Sequence, residues 1–93
     1  MFVVLDILLL ITYSQVREEG RADMRLGNRV RVARAERRMS QEELARLAGV
    51  TRQTIGAIEN GQYSPSALLA FVLAEQLGKP IGELFYLEPQ ETS

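Results

Sequence analysis

Between Ser40 and Gly61 the sequence reads SQEELARLAGVTRQTIGAIENG, two short helical stretches with almost no chain between them. Ser40-Gln41-Glu42-Glu43 has the form of a capping box, in which the Ser40 hydroxyl accepts the Glu43 amide and Glu43 reaches back. Leu44 and Leu47 supply an apolar face, and Gly49 ends the helix because glycine adopts the left-handed conformation cheaply. Thr51 is a favourable N-cap for the next helix, which runs to about Asn60, where Asn60-Gly61 is a strong stop. Helices joined this tightly must cross closely. The crossing wants a small residue on the first helix, a turn residue tolerant of positive φ, and branched apolar anchors on the second. Ala45, Gly49, and Ile55 with Ile58 fill those places.

The flanking sequence reads as further short helices. A first helix is expected over about Leu26 to Arg37, with Leu26, Val30 and Ala33 on one face. Ser64-Pro65, a cap followed by proline at the first helical position, announces a fourth helix reaching about Leu77. Leu68, Leu69, Val72 and Leu73 are its candidates for burial, and Gly78 ends it. Pro80 opens a fifth helix from Ile81 to about Phe85, whose Leu84 and Phe85 close the core. No alternating strand pattern follows residue 24, so the expected fold is all-α, five short helices.

Composition narrows the chemistry. The chain has 93 residues, 46% of them apolar, which suits one globular domain. It contains no cysteine and no histidine, which removes disulfides, thiolate metal sites, the usual general base and the commonest metal ligand. No glycine-rich phosphate loop is present either, so an enzyme, a cofactor and a metal are not expected. Glu42 and Glu43 are explained by capping and by the helix dipole.

The net charge of −1 looks wrong for a nucleic-acid binder, but its distribution does not. Residues 25–52 carry +5, residues 1–24 carry −2 and residues 53–93 carry −4. All the excess positive charge sits in one segment, the sign expected of a surface that meets phosphates. A solvated helix face would account for the same charges.

Residues 2–13 (FVVLDILLLITY) form an apolar run broken by Asp6, too short for a membrane span of about 20 residues. It fits a strand or a short buried helix equally well. Residues 14–24 read as a polar linker. Arg17-Glu18-Glu19-Gly20-Arg21 resembles a purine-rich ribosome-binding site read through in frame, which gives a second expectation, a native start at Met24. The expected organisation is a leader over 1–24, a domain over 25–87 and a polar, frayed tail over 88–93.

A short turn between two crossing helices is the helix-turn-helix arrangement, whose second helix lies in the DNA major groove. Ser40–Ala45, Gly49–Ile55 and Ile58–Gly61 together resemble the Cro and lambda-repressor type of helix-turn-helix, the Xre family. The resemblance covers residues 25 to about 87 and implies a five-helix lambda-repressor-like domain. It also implies roles. Thr51, Arg52 and Gln53 match the start of the recognition helix, where base edges are read, and Ala57 matches a later reading position. In such a setting arginine can donate two hydrogen bonds to guanine and glutamine can pair with adenine. An alanine methyl can only pack on a thymine methyl. Gln41 matches a phosphate-holding position, and Asn60, Gln62 and Tyr63 match a loop that contacts the backbone.

Arg34 and Glu59 match a partly buried salt bridge joining the first helix to the third. Thr54 is read as a phosphate contact or a surface filler, Tyr63 as a backbone contact or a packing residue. Arg29 and Arg31 are read as phosphate contacts or as solvated charges. Two positions depart from the family: Arg38 stands where glycine is usual, and Gly56 stands inside the recognition helix. The implied function is a cytoplasmic transcriptional regulator, a repressor that binds a palindromic operator on double-stranded DNA as a homodimer. Leu84, Phe85 and Leu87 are the expected dimer surface, and no membrane partner is expected. The alternative is an antitoxin or protein-interaction adaptor that docks through the apolar segment at residues 2–13.

Overall fold

Five helices and a two-stranded antiparallel sheet make up the computed structural model, which describes residues 24–62 and 64–90. The readings made above for residues 1–23, for Tyr63 and for the last three residues lie outside the described residues. In chain order the elements are β1 (Met24–Asn28), α1 (Val30–Glu36), α2 (Gln41–Ala48), α3 (Arg52–Glu59), α4 (Ala67–Leu77), α5 (Ile81–Leu84) and β2 (Phe85–Pro89). The helical fold class expected from the sequence is the one observed, with a small strand pair added to it.

That strand pair moves two boundaries. The first helix starts at Val30 rather than Leu26, and the fifth ends at Leu84 rather than Phe85. β1 and β2 pair with Leu26 opposite Leu87 and Gly27 opposite Tyr86. Gly27 is buried against the Tyr86 ring, and a side chain there would collide with it. The Arg25 Nε donates to Glu88 Oε2 at 2.6 Å, so part of the expected frayed tail is paired. Asn28 makes the change from strand to helix. Its Oδ1 accepts the Val30 amide at 3.1 Å, and its Nδ2 donates to the Ile58 carbonyl at 2.8 Å. One side chain thereby satisfies an orphan amide of α1 and a carbonyl near the end of α3.

The central pair of helices is built by its caps. The Ser40 hydroxyl accepts the Glu43 amide at 3.0 Å, Gly49 takes φ +78, and the Thr51 hydroxyl accepts the Thr54 amide at 3.1 Å. Leu44, Ala45, Ile55 and Ile58 are buried between them and join Val30, Leu73, Leu77 and Leu84 in one core. Arg38, with φ +53, is the one non-glycine residue in the left-handed region among the described residues. That conformation costs an L-residue about 1–2 kcal/mol, which is why glycine suits this turn. Gly56 has no such reason: a methyl group there would rest 3.8 Å from Gln41 Nε2, an ordinary contact.

Two expectations for the C-terminal half are corrected. The cap of α4 is Ser66, whose hydroxyl accepts the Leu69 amide at 3.1 Å, and not Ser64. In this register Leu69, Leu73 and Leu77 recur every fourth residue toward the core and Leu68 faces out. Leu84 and Phe85, expected at a dimer surface, are buried because α5 and β2 fold back onto the core; Leu87 alone of the three is exposed.

Candidate nucleic-acid interface

α3 is anchored from below and bare above. Ile55, Ile58 and Thr54 hold it to the core, whereas Arg52 and Gln53 are exposed and Gly56 and Ala57 are half-exposed. Residues 52, 53, 56 and 57 share one face at helical spacing, so the outward face presents a guanidinium and a carboxamide followed by a flat patch. Within α3 itself no larger side chain follows them on this face.

Thr51 starts this face but its hydroxyl is already engaged, with the Thr54 amide and with Thr54 Oγ1 at 2.9 Å. Thr54 does not reach the surface. Its residue is 1% exposed, and its hydroxyl faces Thr51, so the phosphate-contact reading is corrected to an internal one.

The other end of α3 is fixed by Glu59, whose side chain is 0% exposed. Arg34 Nε donates to its Oε2 at 2.8 Å, Gln41 Nε2 to its Oε1 at 2.9 Å, and Arg31 Nε to its Oε1 at 3.4 Å. Arg34 also donates to the Met39 carbonyl at 2.9 Å. Three side chains from two helices therefore converge on one carboxylate of the third. Burial by itself would raise the Glu59 pKa. The hydrogen bonds from Arg34 and Gln41, the charge of Arg34 and the bond from Arg31 outweigh it, and the carboxyl is held below its ordinary range.

Gln41, read above as a phosphate contact, spends one amide hydrogen on Glu59 and sits half-exposed at the start of α2. Asn60 and Gln62 are exposed beyond the end of α3. Arg31 Nη2 donates to Asn60 Oδ1 at 3.0 Å, with 62% of its side chain still open to solvent.

Arg29 is not part of this cluster. Its guanidinium lies 5.2 Å from the Tyr86 ring centroid, and it lines a groove with Val32, Glu36 and Tyr86. Two residues further on, a helix has turned about 200°, so Arg31 faces α3 while Arg29 faces away. Arg29 thus stays exposed, beside an aromatic ring and apart from the Glu59 cluster. Sequence reasoning did not connect Arg31 to Glu59 and passed over Asn28. Arg31 carried a usable signal, being three residues before Arg34 and so on the same helix face. Asn28 carried none, since its partner is thirty residues away.

A helix-turn-helix whose second helix shows its polar face outward is a recognisable device. The family model described as Helix-turn-helix matches residues 30–84, more than half of the chain. The chain belongs to the Xre-type helix-turn-helix family. An HTH-type transcriptional regulator of Methanocaldococcus jannaschii is 45% identical to it over 64 residues, 69% of this chain and 97% of that one. The HTH-type transcriptional regulator YgzD of Bacillus subtilis is 43% identical over 63 residues, 68% of this chain and 96% of that one.

Among solved structures, the restriction-modification controller protein C.AhdI of Aeromonas hydrophila superposes with a TM-score of 0.55 at 35% identity. The match covers 58% of this chain and 78% of C.AhdI. The transcriptional regulator VanUg gives a TM-score of 0.62 at 20% identity over 73% of this chain and 91% of VanUg, a likeness of fold alone. This Xre-type protein is an HTH-type transcriptional regulator, a DNA-binding protein and not an enzyme. Among its described residues no helix is long and apolar enough to cross a membrane.

Proposed function

We propose that the protein is a cytoplasmic repressor that binds a palindromic operator as a homodimer, with α3 in the major groove of each half-site. The observation that carries this reading is the outward face of α3, where Arg52 and Gln53 stand exposed on a helix whose two ends are both fixed. A short helix reaches only a few base pairs, and two copies related by a twofold axis read two half-sites about 34 Å apart. Arg52 donates to guanine O6 and N7, Gln53 pairs with adenine, and Ala57 leaves room for a thymine methyl. Thr51 begins the reading face and holds the helix terminus at the same time. Repression fits a protein that acts by covering DNA.

Gln41, Asn60 and Gln62 are the backbone contacts of the proposal, with Tyr63 beside them in the sequence. Of Arg29 and Arg31, Arg31 is the stronger backbone contact of the proposal, because its guanidinium stands open next to Asn60. A phosphate contact of this kind carries no sequence information. Arg31→Ala is therefore expected to weaken binding to every duplex by a similar factor, and to lower the slope of log affinity against log salt by about 1. Fluorescence anisotropy of labelled duplexes at several salt concentrations measures both. A wild-type salt slope in the variant would remove Arg31 from the interface.

A further inference from the structure

Residues 25–52 hold eight arginines, and seven of them have a partner or a place in the fold. Arg25 pairs with Glu88, Arg29 lies over the Tyr86 ring, and Arg31 and Arg34 hold Glu59. The Arg37 guanidinium lies against Gly78 at the end of α4. Arg46 sits in the last turn of α2, where a cation complements the helix dipole, and Arg52 stands on the outward face of α3.

Arg38 is the eighth. It is exposed, and among the described residues its side chain makes no ion pair, hydrogen bond or ring contact. It also holds a left-handed backbone at φ +53, a conformation that glycine adopts at no steric cost. Side chains kept at such positions gather at functional sites. Nothing inside the protein rewards an arginine here, so its reward lies outside.

The turn that carries Arg38 borders the outward face of α3. The carbonyl of the next residue, Met39, accepts from Arg34 at 2.9 Å, and Arg34 holds Glu59 at the end of α3. Gln41 donates to the same Glu59. Its Nε2 lies 3.8 Å from where a Cβ on Gly56 would stand, and Gly56 belongs to the outward face. Three residues of chain span at most about 11 Å, so Arg38 starts within that distance of Gln41.

We infer that Arg38 is a further DNA contact, a cation set on a phosphate of the duplex beside the bases that α3 reads. The inference rests on the reading of α3 given above. Arg34 could serve a phosphate only by releasing Glu59, whereas Arg38 breaks no bond within the protein. A bare guanidinium also suits a carboxylate on a partner protein. The duplex is favoured because Arg38 borders the helix that faces it. The fold thus gives up stability in this turn, and the complex gains an ion contact that carries no sequence information.

The test compares full-length wild type, Arg38→Gly, Arg38→Lys and Arg37→Gln by thermal melting and by fluorescence anisotropy at several salt concentrations. The probe is a duplex selected by the wild-type protein. Arg38→Gly is expected to melt about 4 °C or more above wild type, because the strain is relieved. It is nevertheless expected to bind about 8-fold more weakly near 0.1 M salt, the factor that one phosphate contact contributes there relative to about 1 M. Its slope of log affinity against log salt should fall by about 0.9. A more stable fold that binds less tightly cannot owe the loss to unfolding. Arg38→Lys keeps both the charge and the backbone, and should match wild type in melting and in slope. Arg37→Gln should keep the wild-type slope.

A wild-type slope in Arg38→Gly overturns the inference and leaves the guanidinium for a protein carboxylate. An equal fall in Arg37→Gln overturns it in favour of a diffuse field of positive charge. Melting of Arg38→Gly below wild type overturns it in favour of a role in the fold. Arg52→Ala, tried on singly substituted duplexes, separates the two readings. An unchanged profile there removes α3 as the reader, and the Arg38→Gly slope still decides the phosphate contact.

Discussion

Glu59→Ala is expected to destabilise the domain by about 3–5 kcal/mol, the scale on which removing one partner of a buried ion pair acts. The lower end of that range is favoured, because Arg34 keeps some access to water. The substitution leaves Arg34, Gln41 and Arg31 without their shared acceptor and unpins the end of the recognition helix. Domains of this kind have only about 5–15 kcal/mol in total. The variant should therefore melt far below wild type and unfold at low urea.

The pH dependence carries the same signature. The Glu59 carboxyl titrates below its ordinary value of 4.5 in the fold, so the unfolded chain binds its proton more readily than the folded one. Its contribution is complete above 4.5 and is lost as the pH falls through the lowered value in the fold. Chemical denaturation from neutral pH down into the acid range checks this. Wild type should lose stability in that window, and Glu59→Ala should show a smaller loss there.

The second large effect is on specificity. Gln53→Ala, and separately Arg52→Ala, should leave the fold intact, since both side chains are exposed. Each should erase discrimination at one base pair of the half-site, worth about 1–3 kcal/mol, or roughly 5- to 150-fold between right and wrong base. Competition binding against a set of singly substituted operators reads this directly. A flat profile at one position, with the others kept, is the expected result. Uniform weakening across the whole set would move these side chains from the bases to the phosphates, the behaviour expected of Arg31.

The helix-turn-helix was legible in the sequence because its instructions are local. Ser40, Gly49, Thr51 and Asn60-Gly61 each act on backbone groups within a few residues, and each cap or stop falls where the sequence places it. The strands were not legible because β1 has no alternation of its own. Its register depends on Tyr86 covering Gly27 and on Glu88 meeting Arg25, contacts made across some sixty residues.

The same division runs through the site. Arg52 and Gln53 could be placed from the Thr51 cap alone. Which way Arg29 and Thr54 point depends on a ring in β2 and a hydroxyl in the turn, and propensity is silent about both. Ser64 and Ser66 are two residues apart and equally able to cap a helix. The core chose between them, and the choice turned Leu68 outward.

Selection of bound duplexes from a random-sequence pool tests most directly whether the bare face of α3 reads DNA. The enriched sequences should contain one short element twice, in inverted orientation, with centres about 34 Å or one helical turn apart. A pool that emerges unenriched, or one enriched in a lone element without its inverted copy, would contradict a twofold reader built on Arg52 and Gln53.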